Sequence, residues 1–249
     1  MKTISFILAF FVGAAVFGQP DGEKYVKLTE DYKKSSKPNS SILYYQKAAD
    51  FFKKENNTEY FVNCYNQIGV IYTRQDEYKN AKSYLYEALK IGSLKLDTNS
   101  LILATTYISL GVVYNAEENY DTALLYHYKS LEIRCGILGE GSWEVPTCYG
   151  NIGNVYVNKK DFDLSIETHL KAMRIREKLY GEKSSEIAFS YISLGNAYLE
   201  KKEYETSLLY FYKTLGNKIE KFGLGHQELV KVYRSISEVY YLMNGYSSS

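Results

Sequence analysis

Chemistry in this chain would have to come from three histidines, three cysteines or a short glycine run. His127 and His169 stand 42 residues apart, and His226 falls in a loop register away from both. Two imidazoles do not close a metal site. Cys64 and Cys148 lie 84 residues apart, two periods of the repeat described below. At about 10 Å per packed helix layer they sit roughly 20 Å apart, too far for a disulfide. Cys135, near a hairpin end, is the thiol expected to be exposed, and an odd cysteine count completes no disulfide framework. Gly136, Gly139 and Gly141 follow a helical segment, whereas a phosphate loop follows a strand. No P-loop, His-Glu-x-x-His, Gly-x-Ser-x-Gly or carboxylate pair on apolar ground occurs. The sequence therefore predicts no catalytic residue, no metal and no cofactor.

The elements that would position such groups recur. At an offset of 42 the chain aligns with itself without gaps, bringing Tyr65, Tyr107, Tyr149, Tyr191 and Tyr233 together. Ile68, Leu110, Ile152, Leu194 and Ile236 follow, then Gly69, Gly111, Gly153, Gly195 and Ser237. Tyr72, Tyr114, Tyr156, Tyr198 and Tyr240 come next, then an aromatic at Tyr78, Tyr120, Phe162, Tyr204 and Tyr246. Small residues hold two later registers: Ala81, Ala123, Ser165, Ser207, and Ala88, Ser130, Ala172, Thr214. A partial earlier unit, offset by 40, sets Tyr32 against Tyr72, Ser41 against Ala81 and Ala48 against Ala88.

Within a unit the period is helical. Tyr107, Leu110, Gly111 and Tyr114 share one helix face; after a polar break (Asn115 to Asn119), Ala123, His127, Ser130 and Leu131 share another. Glycine inside a helix costs about 1 kcal/mol against alanine, so its recurrence predicts two helices crossing closely. His127 and His169 fall in one second-helix register and are expected to pack between helices. Arg134, Arg176 and Lys218, followed by Gly139, Gly181 and Gly223, read as helix stops with a cation in the last turn and glycine beyond it. Most of the 27 tyrosines lie in packing registers. Tyr126, Tyr128, Tyr210 and Tyr212 fall on second helices, where hairpin packing is again the expected role.

This pattern resembles the tetratricopeptide repeat, with its aromatic, Leu-Gly, Tyr and paired small residues. The 42-residue spacing and hairpin ends such as IREKLYGEKSSEIA (175–188) are similar to the kinesin light chain type. Ser165 and Ser207 in place of alanine, and Ser237 in place of glycine, are mild departures. Residues 24–246 carry the resemblance, as about four full repeats, an N-terminal partial unit and a truncated last unit. It implies an all-α fold, an α-solenoid forming a right-handed superhelix of stacked antiparallel helix hairpins. It also implies binding of a protein or peptide rather than catalysis.

Helix pairs that bury their faces only against neighbours stack into an elongated superhelix with a concave groove. The first helix of each unit lines it with the face opposite the packing residues. Counting from each leading tyrosine nominates Asn66, Val70 and Arg74, then Ile108, Val112 and Asn115, then Gly150, Asn154 and Asn158, then Ile192, Asn196 and Glu200. Asn151, beside that face, is expected to reach in as well. An asparagine amide offers a donor and an acceptor that match the backbone of an extended peptide. The resemblance suggests this role for Asn154 and Asn196, which share a register. Arg74, Lys231 and Arg234 sit at opposite ends, so capture of an acidic C-terminus is not expected.

Lys and Arg number 30 against 29 Asp and Glu, so no net field favours nucleic acid or an anionic membrane. Met1 to Thr3, an apolar run from Ile4 to Phe17 and then Gly18-Gln19-Pro20 have the form of a secretory signal, with cleavage expected after Gly18. The run is shorter than the roughly 20 residues of a membrane span. The expected organisation is a signal peptide (1–18), a linker (19–23), the solenoid (24–246) and a tail (247–249). No membrane span is expected in the mature chain, which would be secreted or periplasmic. The last first-helix lacks its partner, which predicts self-association or another cover there. A second reading is the extracytoplasmic sensor region of a truncated signalling protein, such as a sensor histidine kinase. A third is a small-molecule-binding solenoid, favoured if an apolar pocket with convergent polar groups lies between units.

Overall fold

The structure, a computed structural model, describes residues 38–245. The expected signal peptide and linker, the leading Tyr32 of the partial unit and the tail lie outside the described residues. Within them the chain forms α1 (Pro38–Lys54), α2 (Thr58–Arg74), α3 (Tyr78–Lys95), α4 (Leu101–Ala116) and α5 (Tyr120–Leu138). It continues through α6 (Val145–Asn158), α7 (Phe162–Tyr180), α8 (Ile187–Glu200), α9 (Tyr204–Phe222) and α10 (Glu228–Met243), with no strand among the described residues. Every helix packs on the next in chain order, so the fold is the α-solenoid. Even-numbered helices are the first helices of their units and odd-numbered ones the second. α1 is the second helix of the partial unit, with Ser41 and Ala48 buried.

Local sequence sets the breaks. The side chains of Asn57, Ser100 and Asn119 accept hydrogen bonds from the backbone N–H groups of Tyr60, Leu103 and Thr122, capping α2, α4 and α5. Inside each hairpin the turn passes through one left-handed residue: Asp76, Glu118, Lys160 or Lys202, at φ 60°, 60°, 64° and 67°. Gly139, Gly181 and Gly223 cap α5, α7 and α9 at φ 81°, 84° and 81°, where a side chain would be strained.

The cations before those glycines behave differently from expectation. α5, α7 and α9 run on past Arg134, Arg176 and Lys218, so these side chains lie before the last turn rather than in it. They clamp each unit to the next. Arg134 donates from Nη2 to Thr105 Oγ1 (3.0 Å) and from Nη1 to Cys148 Sγ (3.7 Å), and its Nε lies 3.0 Å from the Glu144 carboxylate. Arg176 donates to Ser190 Oγ at 2.7 Å and Lys218 to Glu228 at 2.9 Å. The cause is geometric: a long cation buried one turn inside a helix reaches the entry of the next helix more readily than its own terminal carbonyls.

Two registers make the hairpin core. Beneath each first-helix glycine lies a large second-helix side chain: Leu85 under Gly69, His127 under Gly111, His169 under Gly153 and Phe211 under Gly195. Both histidines are fully buried. Burial pushes their imidazoles down to about 4, with Arg176 adding to the effect at His169. They are therefore neutral packing groups. The second register explains much of the tyrosine. The Tyr84 ring lies between Tyr65 and Tyr72, at centroid separations of 5.2 and 5.7 Å. Tyr126 lies between Tyr107 and Tyr114 at 6.0 and 5.6 Å, and Tyr210 between Tyr191 and Tyr198 at 6.0 and 5.6 Å. Each such ring pair adds about 0.5–1.5 kcal/mol beyond its buried area.

Candidate binding groove

The inner wall follows from which helices touch across units. α2 contacts α4, α4 contacts α6 and α6 contacts α8, while second helices make no contact of that extent with one another. A row whose members meet along one edge curves toward that edge, so the first helices form the concave side. Their outward faces carry the nominated residues. Arg74, Val112, Asn154, Asn158, Asn196 and Glu200 are exposed, and Val70, Ile108, Asn115, Asn151 and Ile192 are half-buried.

Asn66 departs from expectation. It is 0% exposed, and neither its amide oxygen nor its nitrogen has a hydrogen-bond partner. The contact between α2 and α4 is the most extensive among first helices. The position just after the leading tyrosine lies at the edge these helices turn toward each other, as the half-buried Ile108, Gly150 and Ile192 show. Where the helices close most tightly, that edge is sealed.

Asn115 and Asn158 are brought together: Asn158 Nδ2 donates to Asn115 Oδ1 at 3.0 Å, bridging α4 and α6. Asn154 and Asn196 are exposed and make no such bond among the described residues. Of the nominated wall only Arg74 and Glu200 are charged, and they lie at the ends of α2 and α8. Lys231 and Arg234 lie on α10, far along the stack from Arg74.

Sequence reasoning missed Phe189. It stands on the same face of α8 as Ile192 and Asn196, three and seven residues before them, and is 68% exposed. The signal was available: at this register the other units carry Asn63, Thr105, Thr147 and Lys231, and the lone aromatic stands out. The surface hollow beside α9 has a mixed lining, with the Tyr191 ring set among charged side chains. Glu182, Lys183, Lys213 and Glu220 line it, and Asn217 Nδ2 donates there to the carbonyls of Glu182 and Ser184, both at 3.1 Å. Cys64 and Cys148 are buried, Cys135 is half-buried, and all three thiols are free. Burial pushes the Cys64 thiol up to about 12, so it is inert as a nucleophile. No helix among the described residues is long and apolar enough to cross a membrane.

The tetratricopeptide repeat family model matches residues 61–135 and 144–220. No curated protein matches the chain. Among solved structures, BtubC (BKLC) from P. vanneervenii is 16% identical, with 91% of this chain and 85% of that chain covered at a TM-score of 0.67. A putative kinesin light chain with nearly identical TPR-like repeats from Podosopora anserina is 11% identical over 82% of this chain and 99% of that one, TM-score 0.67. A Signal Transduction ATPase with Numerous Domains carrying a tetratricopeptide repeat sensor, from Pyrococcus horikoshii, is 15% identical. There 88% of this chain aligns with 31% of that one at a TM-score of 0.68. At such identities the likeness is one of fold.

Proposed function

The chain belongs to the tetratricopeptide repeat family, and on that premise we propose that it is a non-catalytic scaffold holding an extended polypeptide segment in the groove of its first helices. The observation that carries this reading is the pair Asn154 and Asn196, one repeat apart on the neighbouring first helices α6 and α8, both exposed on a nearly uncharged wall. Spaced amides of this kind hold a peptide backbone without reading its side chains. Ile108 and Val112 on α4, and Phe189 and Ile192 on α8, supply apolar contact beside them. We place the scaffold outside the cytoplasm, secreted or periplasmic, on the strength of the Met1–Gly18 pattern.

The test is a displayed library of random linear peptides selected on the chain, with affinities of enriched peptides measured by fluorescence anisotropy. Asn154→Ala combined with Asn196→Ala should weaken them at least about tenfold, a loss of roughly 1.4 kcal/mol. Both sites are exposed helix positions where alanine is well tolerated, so the fold is kept. Unchanged affinity would remove the groove assignment. The localisation is read separately, from cell fractionation with N-terminal sequencing; a chain that retains Met1 and stays in the cytoplasmic fraction would refute it.

A further inference from the structure

The groove wall does not stop at α8. At an offset of 42, Lys231, Arg234 and Glu238 of α10 take the places of Phe189, Ile192 and Asn196. All three are exposed and stand at i, i+3 and i+7 on one helix face, opposite the buried Val232, Ile236 and Val239. The row of amides, Asn154 and Asn196, therefore continues into a carboxylate, with two cations nearer the N-terminus of α10. Lys231, Arg234, Glu238 and the exposed Glu200 make no ion pair among the described residues. Glu228, three residues before Lys231, is held by Lys218 at 2.9 Å. Arg234 precedes Glu238 by four residues, the weaker order for a helical ion pair. α8 and α10 also meet less closely than any earlier pair of neighbouring first helices, and on this stretch of wall Phe189 is 68% exposed.

We propose that this end of the groove selects its peptide by charge: an acidic side chain goes to Lys231 and Arg234, and a basic side chain beside it goes to Glu238 and Glu200. This rests on the groove reading above and adds what the amides do not read. Charge complementarity names the occupant, because the unpaired charges form two groups of opposite sign, roughly 6–10 Å apart along α10. An extended segment crossing the helices turns successive side chains to opposite sides. One residue therefore faces the cations of α10 and its neighbour faces the carboxylates. Alternate residues share a side, so the residue two positions from the acid lies toward Phe189, where an apolar side chain is expected. The acid is a side chain within the segment, and no chain terminus takes part.

Peptides enriched from the linear library are synthesised with both ends blocked, each beside a twin in which the acidic and basic residues are exchanged. Fluorescence anisotropy compares them on the full wild-type chain and on one carrying Lys231→Glu, Arg234→Glu and Glu238→Lys. The enriched peptides should hold an acid next to a base, with an apolar residue two positions from the acid. The wild type should prefer them to their twins by about fivefold or more, and the exchanged chain should prefer the twins. The preference should shrink as salt rises from about 0.05 M to about 0.5 M. Lys231→Gln with Arg234→Gln, a milder change at the same exposed positions, should reduce the preference without inverting it. An unchanged preference in either variant, or enriched peptides without the charge pair, overturns the proposal. If those peptides still weaken with the Asn154→Ala and Asn196→Ala pair, the groove reading stands without it. A preference that inverts while the asparagine pair has no effect keeps the charges and removes the amides. A library that enriches nothing overturns both.

Discussion

The His169 imidazole occupies the space that a Cβ on Gly153 would need: its Cε1 lies 2.5 Å from that point. Gly111 and His127 repeat the relationship at 2.5 Å. The glycine and the ring are thus one packing unit split between two helices.

Gly153→Ala should therefore destabilise the chain by about 1–3 kcal/mol through overpacking, although helix propensity alone favours alanine by about 1 kcal/mol. Gly216, in the interior of α9, has nothing within 4 Å of its Cβ point. Gly216→Ala should accordingly stabilise by about 1 kcal/mol. Urea denaturation midpoints separate the two signs. A Gly153→Ala chain as stable as the wild type would contradict the packing.

The same histidines make stability depend on pH. Each is near 6.5 when unfolded and about 4 when folded, so the unfolded chain binds protons first as acid is added. Their contribution is full above pH 6.5 and is lost as pH falls toward about 4, with each histidine worth about 3 kcal/mol over that window. Phe211 shows that a phenyl ring fits this register under Gly195. His127→Phe combined with His169→Phe should keep the fold and flatten the fall in Tm between about pH 7.5 and pH 5. An equal fall in both chains would assign the acid sensitivity elsewhere.

Asn66 leaves a donor and an acceptor unpaired in a sealed edge, and an unpaired buried polar group costs about 1–3 kcal/mol. Asn66→Leu removes both polar atoms and keeps the branched shape of the side chain, in a register where the larger Ile108 and Ile192 already stand. The expected gain is about 1–2 kcal/mol, seen as a higher urea midpoint. A lower midpoint would mean that ordered water holds the amide, which the replacement would strip of its site.

These cases mark how far the sequence could be read. The glycine–ring pairing and the burial of His127 and His169 were legible, because both partners recur at one offset and the steric demand is local to a hairpin. Asn66 was not, since its exposure depends on how tightly α2 closes on α4, a distance that no residue type encodes. Tyr126 read only as a packing aromatic; its place between Tyr107 and Tyr114 needs two helices at once. Arg134 was misread because a cation followed by glycine signals a helix stop equally well when the helix continues for another turn.

Arg134 and Lys218 hold the same register two repeats apart, yet their ion pairs should behave differently. Arg134 is 7% exposed at the side chain and Glu144 19%, whereas Glu228 is 42% exposed. A double-mutant cycle over Arg134→Met and Glu144→Gln should give a coupling of about 1–3 kcal/mol that changes little as salt is raised, because burial shields it from counterions. The cycle over Lys218→Met and Glu228→Gln should give a weaker coupling that fades with salt, since Lys218 lowers the Glu228 carboxyl from a solvated position. Arg134→Ala should also cost more than Arg176→Ala: it strips hydrogen bonds from Thr105 and Cys148 and leaves Glu144 unpaired, whereas Arg176 gives up one bond to Ser190. Equal couplings in the two cycles, or equal salt dependence, would show that the arginine clamp is a surface contact rather than the bolt between units.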